Sequence, residues 1–270
     1  MIPITRHSQL GIDSHHKTRW IINHGAGVLD ISITGAMNLL WTFPDASTST
    51  LTRPEKTVTA GRTIITCNDF SASSVDVFIY ETATALTDTP ILLMSLPGLR
   101  GGLQTGQIDC LKGNILQIPR LQRTIGMYAC TQIRGDIKNL PRKVSRLLLY
   151  ANALITGDIV NIPMAANYIN IGYCSGISGS VETVTNTGEL YVYGMDLITG
   201  ALTITATNSK IWFFGNTLVS PAEYDQTVAN VVAAGRFNGL LYISSRRTSA
   251  SDANIATLIS RGWTINEDNA

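Results

Sequence analysis

The stretch RLLLYANALITGDIVNIP, residues 146–163, decides how this chain is read. It sets Leu147 and Leu149 on alternate positions, Asn152 three residues on, and then, past Gly157, Ile159 and Ile162 before Pro163. The pattern recurs on both sides. Pro97, Pro119, Pro141 and Pro163 stand 22 residues apart and close the segments LLMSLP, NILQIP, DIKNLP and DIVNIP. Gly113, Gly135, Gly157 and Gly179 keep the same interval, and Gly200 follows after 21. The apolar pairs Ile125 and Met127, Leu147 and Leu149, Ile169 and Ile171, Leu190 and Val192, Ile211 and Phe213 keep step, each followed three residues later by Cys130, Asn152, Cys174, Met195 or Asn216. A fixed period of this length is the mark of stacked units, each too small to bury its own apolar face.

In such a unit a short strand sends alternate residues inward, so Leu147 and Leu149 face the core while Leu148 and Tyr150 face out. Each inward Leu or Ile contributes roughly 1.5–3 kcal/mol when neighbouring units cover it. The Asn or Cys satisfies backbone groups at the bend, the glycine allows a tight corner, and the proline ends an extended segment that needs no amide donor.

LLLYANAL resembles the LxLxxNxL core of the leucine-rich repeat family, and the resemblance spans residues 91–219. The chain departs from that pattern in its Ile, Val and Met residues, in Met195 at an Asn/Cys position, and in a short Pro-marked return segment. The resemblance implies a mainly β fold: a leucine-rich-repeat-like solenoid of 22-residue coils, with a β-rich N-terminal part and a small α/β C-terminal cap. In the cap, Ser220, Pro221 and Glu223 form a helix start, Gly235 stops the helix, LLYIS reads as a strand, and SDANIATLISRGWTI as a second helix ending at Gly262 and a last strand. This ending resembles the terminal caps of leucine-rich proteins of gut anaerobes and their phages. Before the repeat, RWIIN, VLDISITG, NLLWTF, RTIITC and VDVFIY read as strands. LLWTFPDAST is similar to the W-x-F-x-D-x-[ST] stretch of PKD-like sandwich domains, with Pro44 and Ala46 flanking Asp45 where a glycine is expected. The organisation expected is an arm over 1–18, a β-rich domain over 19–90, the repeats over 91–219 and a helical cap over 220–270.

The whole chain, 270 residues with 44% hydrophobic and 14% charged residues, belongs to the folded class. Lys and Arg number 20 against 19 Asp and Glu, so no overall field favours nucleic acid, and no apolar run reaches the ~18 residues of a membrane span. Neither nucleic acid nor membrane insertion is expected, and the N-terminal stretch has no apolar core of signal-peptide length. Cys67, Cys110, Cys130 and Cys174 show no metal or redox spacing and read as free thiols. His7, His15, His16 and His24 crowd the first residues, and the glycine-rich stretch 98–106 reads as a loop. No GxSxG, HExxH, P-loop or GxGxxG occurs, Asp136 and Asp158 read as solvated turn residues, and no catalytic residue, cofactor or metal is expected.

The candidate binding surface is the outward face of the strands: Tyr128, Leu148, Tyr150, Tyr191, Tyr193, Trp212, Phe214 and Tyr242. An aromatic stripe on a sheet marks either an interface between subunits or a site for a glycan or protein receptor. From Lys112 to Arg146 there are eight basic residues and one acid, and Arg120, Arg123, Arg142, Lys143 and Arg146 form a basic flank, either solvated or suited to an anionic polysaccharide. The reading is a non-enzymatic recognition or structural protein, a phage virion component such as a tail fibre, head fibre or decoration. It would be a homo-oligomer, a trimer by analogy with fibres, contacting other virion proteins through its N-terminal region and a host glycan or protein through its repeats. The alternative is a bacterial adhesin or intracellular scaffold, placed at the cell surface or in the cytoplasm.

Overall fold

The structure is a computed structural model; it describes residues 18–24, 26–34, 37–69, 76–79, 102–105, 112–118, 123–130, 132–163, 165–184, 188–205 and 207–268. The first seven strands are β1 (Thr18–His24), β2 (Gly27–Leu29), β3 (Ile31–Thr34), β4 (Met37–Thr42), β5 (Thr48–Ser49), β6 (Lys56–Val58) and β7 (Gly61–Asp69). Then come β8 (Asp76–Ile79), β9 (Gly102–Thr105), β10 (Lys112–Asn114), β11 (Thr124–Met127), β12 (Gln132–Asp136), β13 (Arg146–Leu148) and β14 (Ile155–Asp158). The last are β15 (Tyr168–Asn170), β16 (Ile177–Ser180), β17 (Glu189–Tyr191), β18 (Leu197–Thr199), β19 (Lys210–Phe213), helix α1 (Pro221–Ala233), β20 (Leu240–Ser244), helix α2 (Asp252–Ser260) and β21 (Thr264–Asp268).

Two parallel sheets organise these elements. The larger runs β21-β20-β19-β17-β15-β13-β11-β9-β8-β3 and is parallel throughout except where β3 meets β8; the smaller runs β10-β12-β14-β16-β18. The 22-residue interval is a pairing register: Gly102 lies beside Thr124, Thr124 beside Arg146 and Arg146 beside Tyr168. Ile125, Leu147, Ile169, Leu190 and Ile211 are fully buried on the inner side of the large sheet, and Ile133, Ile155, Ile177 and Ile198 come in from the small one, all within one core. β1, β7, β4 and β5 form a separate antiparallel sheet, where Trp41 and Phe43 are buried and stack at 6.4 Å; β2 pairs with β6.

The expected mainly β, leucine-rich-repeat-like solenoid is corrected by this arrangement, which is α/β-like: parallel sheets with few helices. Two physical reasons stand out. First, Leu154, the last leucine of the LxLxxNxL match, is 49% exposed, and its neighbour Ile155 is buried instead. That one-residue shift starts β14, so each unit contributes a strand to a second parallel sheet. Secondly, α1 lies between β19 and β20 and α2 between β20 and β21, and all three strands pair in parallel, so the helices are crossovers that extend the large sheet. The stretch read as a glycine-rich loop also contains β9, paired with β11.

Each bend between the sheets is held by side chains. Asn152 Oδ1 accepts the amide of Cys130 at 2.9 Å, and its Nδ2 donates to the carbonyls of Met127 and Leu149 at 2.7 and 2.9 Å. Asn216 repeats this with the Met195 amide at 3.1 Å and the Val192 carbonyl at 3.0 Å. Cys130 and Cys174 are buried; the Cys174 thiol donates to the Leu149 carbonyl, and burial pushes its pKa up to about 12. Ahead of each bend stands a residue with left-handed φ: Ala129, Ala151, Tyr173, Gly194 and Gly215.

At the opposite corner Asp136, Asp158 and Ser180 cap 3-10 turns, each accepting the amide two residues on. Asp136 and Asp158 are thus structural caps, and Lys138 and its amide hold the Asp136 carboxyl below its ordinary value. Gly157 has φ +124, and a Cβ there would stand 2.5 Å from Asp136 Oδ1, so the glycine seats the preceding unit's cap. The capping box of Ser220 and Glu223 forms, with Pro221 in the first turn. α1 also covers the end of the small sheet: Glu223 Oε1 accepts the Gly200 amide at 2.8 Å, Thr227 Oγ1 accepts the Leu202 amide at 3.0 Å, and Asn230 Nδ2 donates to the Leu202 carbonyl at 2.7 Å.

Replacing Asn152 with Ala removes its bonds to the Cys130 amide and the Met127 carbonyl and leaves the Leu149 carbonyl with the Cys174 thiol, each buried bond lost costing ~1–3 kcal/mol. Urea unfolding should show a loss of about 3 kcal/mol or more, and a loss under about 1 kcal/mol would contradict the role given to this side chain.

Candidate functional site

Strand register arranges the outer face of the large sheet in three rows. The first contains Arg146, Tyr168, Glu189 and Lys210; the second Leu148, Asn170, Tyr191, Trp212 and Tyr242. The third contains Tyr128, Tyr150, Gly172, Tyr193 and Phe214, where amides of the following residues bond from unit to unit: Ala129 to the Tyr150 carbonyl, Ala151 to Gly172, Tyr173 to Tyr193 and Gly194 to Phe214. Rings therefore meet at intervals set by backbone pairing.

The contacts form two linked ladders. Tyr128 stacks on Tyr150 at 4.5 Å, Tyr150 approaches Tyr193 at 6.2 Å, and Tyr193 stacks on Phe214 at 5.0 Å. Alongside, Tyr168, Tyr191, Trp212 and Tyr242 follow one another at 5.3, 5.2 and 4.6 Å. Tyr173 stands edge-on to both Tyr150 and Tyr193. Aromatic pairs at these separations add about 0.5–1.5 kcal/mol beyond area burial. The rings cover one another unequally: Tyr191 and Tyr193 are 9% and 7% exposed, whereas Tyr128 and Tyr173 are 38% and 48% exposed. Leu148, Tyr150, Trp212, Phe214 and Tyr242 are half-buried, and Trp212 Nε1 is buried with no hydrogen-bond partner among the described residues.

Backbone and side chains fit together on this face. A Cβ on Gly172 would lie 2.6 Å from the Tyr193 ring, so the missing side chain is what lets that ring lie on the sheet. Tyr173 carries φ +57, a conformation costly for a bulky residue. Polar groups edge the face: the Arg146 guanidinium lies 4.1 Å from the Tyr168 ring, the Tyr191 hydroxyl donates to Glu189 at 2.7 Å, and Lys210 pairs with Glu189 at 3.0 Å. Burial raises the Tyr191 hydroxyl well above the ordinary tyrosine value, and the Glu189 carboxylate reinforces this; burial does the same at Tyr193, with Tyr150 nearby.

The structure brings the eight candidate aromatic and apolar residues onto one face. It divides the basic flank. Arg146 belongs to the aromatic face; Arg123 lies one unit back, its carbonyl accepting the Ser145 and Arg146 amides; Arg142 and Lys143 lie beside the 3-10 turns; Arg120 is outside the described residues. His24 is buried with Nε2 2.8 Å from Thr63 Oγ1, and His7, His15 and His16 are outside the described residues. Tyr168, Tyr173 and Glu189 were missing from the sequence-based set. Tyr168 was findable, because it precedes its apolar pair as Arg146 precedes Leu147. Tyr173 carried no such signal, since its place is held elsewhere by Ala or Gly.

Among the described residues no group of three His, Cys, Asp or Glu could hold a metal ion, and no helix is long and apolar enough to cross a membrane. No family model and no curated protein matches the chain.

Gly172→Ala should displace the Tyr193 ring and raise its exposure, read as stronger quenching of tyrosine fluorescence; unchanged quenching would show that the ring does not need the glycine. The raised hydroxyls also set a pH dependence. Unfolded tyrosines ionise near 10.0 while Tyr191 and Tyr193 stay protonated, so their contribution is complete below that pH and is lost as pH climbs past it. Unfolding free energy should fall with rising pH above about 10, and Tyr193→Phe should flatten that slope.

Proposed function

We propose that the chain is a non-enzymatic recognition or structural protein whose outer aromatic face docks another protein subunit. The observation that carries this is the unequal burial of the ladder: Tyr191 and Tyr193 are buried, while Tyr128, stacked on Tyr150, and Tyr173, edge-on to Tyr150 and Tyr193, keep 38% and 48% of their surface exposed. Aromatic residues are enriched in interfaces, and rings already held by neighbours lose little entropy on docking. Leu148 and Phe214 offer no polar handle to a sugar, which favours a protein surface. The setting we propose is a phage particle, supported by the resemblance of the C-terminal segment to the caps of phage-borne proteins.

Tyr128→Ser with Tyr173→Gly removes both exposed rings, and the glycine also suits the left-handed backbone at 173. Analytical ultracentrifugation of the wild type should show association with itself or with purified particle proteins, and the double variant should lose it with unchanged circular dichroism. A wild type that stays monomeric and binds no particle protein would overturn the reading.

A further inference from the structure

The basic run has a second location, away from the aromatic face, where the 3-10 turns stack. There Leu116 and Ile118 of one unit and Lys138, Leu140, Arg142 and Lys143 of the next line a concavity of about 410 Å³. That volume falls in the range of ligand sites, roughly 300–1,000 Å³. Three cations share it, and no carboxylate lines it among the described residues. Lys138 meets Asp136 at 3.0 Å, Arg142 spends one N–H on the Asn161 carbonyl at 3.3 Å, and the Lys143 ammonium has no hydrogen-bond or ion-pair partner among the described residues. The fold does not require these charges. One unit later, 22 residues on, the same positions hold Val160, Met164 and Ala165. With Lys138 offset by Asp136, the positive charge left over at this hollow is that of Arg142 and Lys143, which an anion would relieve.

We propose that this hollow binds the carboxylate or sulfate group of an acidic saccharide. Arg142 and Lys143 pair with the oxyanion, Lys138, shared with Asp136, borders them, and Leu116 and Ile118 meet the C–H face of the sugar ring. A guanidinium can take two oxygens of one oxyanion through parallel N–H bonds, which suits a planar carboxylate or a sulfate. Among the described residues no aromatic side chain lines the hollow to offer the base stacking that single-stranded nucleic acid uses.

Calorimetric titration of the full chain with heparin, polygalacturonate, inorganic sulfate, neutral dextran and duplex DNA tests this. The wild type should bind heparin or polygalacturonate, with dextran and DNA binding far more weakly. Arg142→Ala with Lys143→Ala should weaken that binding by about tenfold or more. The single reversal Lys143→Glu should do likewise, and Arg62→Ala with Lys56→Ala, which removes equal charge elsewhere, should leave it within about twofold. Binding of sulfate alone would make this a free-anion site and overturn the saccharide assignment. Equal binding of dextran or DNA, or indifference to Arg142 and Lys143, would overturn it as well. The variant lacking the Tyr128 and Tyr173 rings should keep its saccharide binding, so failure here and failure of the aromatic docking reading are separable.

Discussion

Where the chain leaves the large sheet, it turns its own amides and carbonyls into the buried core, and Asn152 is a side chain that satisfies them. Its amide group joins two successive units, taking the Cys130 amide and giving to the Met127 carbonyl behind it and the Leu149 carbonyl of its own unit. A buried amide left unpaired would cost about as much as the burial of one core leucine gains. The staple therefore offsets a cost comparable to one core residue at the bend, while the bulk of the stacking free energy comes from the buried Leu and Ile of each unit. Asn216 does the same one step from the end of the stack, and there Tyr224 of α1 bonds to both the amide and the carbonyl of Asn216, tying the helix to the last bend.

Fixed stacking has a consequence on the outer surface. Because each unit pairs with the next at 21 or 22 residues, side chains at one position form rows, and where Gly172 interrupts the third row Tyr150 reaches the Tyr193 ring two units on. The ladder from Tyr128 to Phe214 is a product of backbone register. Its fine structure comes from residues that are small or strained: Gly172 gives the Tyr193 ring room to lie down, and the left-handed backbone at Tyr173 lifts that ring onto its neighbours. The sequence has Val160, Met164 and Ala165 22 residues after Lys138, Arg142 and Lys143, so one framework carries two chemically distinct surfaces.

Much of this was legible from residue spacing. Prolines and glycines 22 apart foretold the units, alternation foretold that Leu147 and Leu149 are core, and Ser220 with Glu223 foretold the start of α1. The architecture was misread at one residue. Leu154 and Ile155 are adjacent apolar residues, and only the geometry of the bend decides which goes inward. Choosing Leu154 hides the second parallel sheet. The helices were expected as a lid, because local signals mark where α1 and α2 start and stop but not that the strands between them pair in parallel with β19. On the aromatic face, the outward positions were readable, whereas the depth of Tyr193 and the freedom of Tyr173 depend on contacts between units that no single segment contains.

Native-state hydrogen exchange at the bends tests the staple most directly. The Cys130 and Met195 amides lie outside the strand ladders and are held by the side chains of Asn152 and Asn216. Both should exchange as slowly as the amides of the flanking strands, through global unfolding only. Exchange of these two amides at the rate of exposed turn residues, with the strands still protected, would contradict the claim that the asparagines hold the stack together.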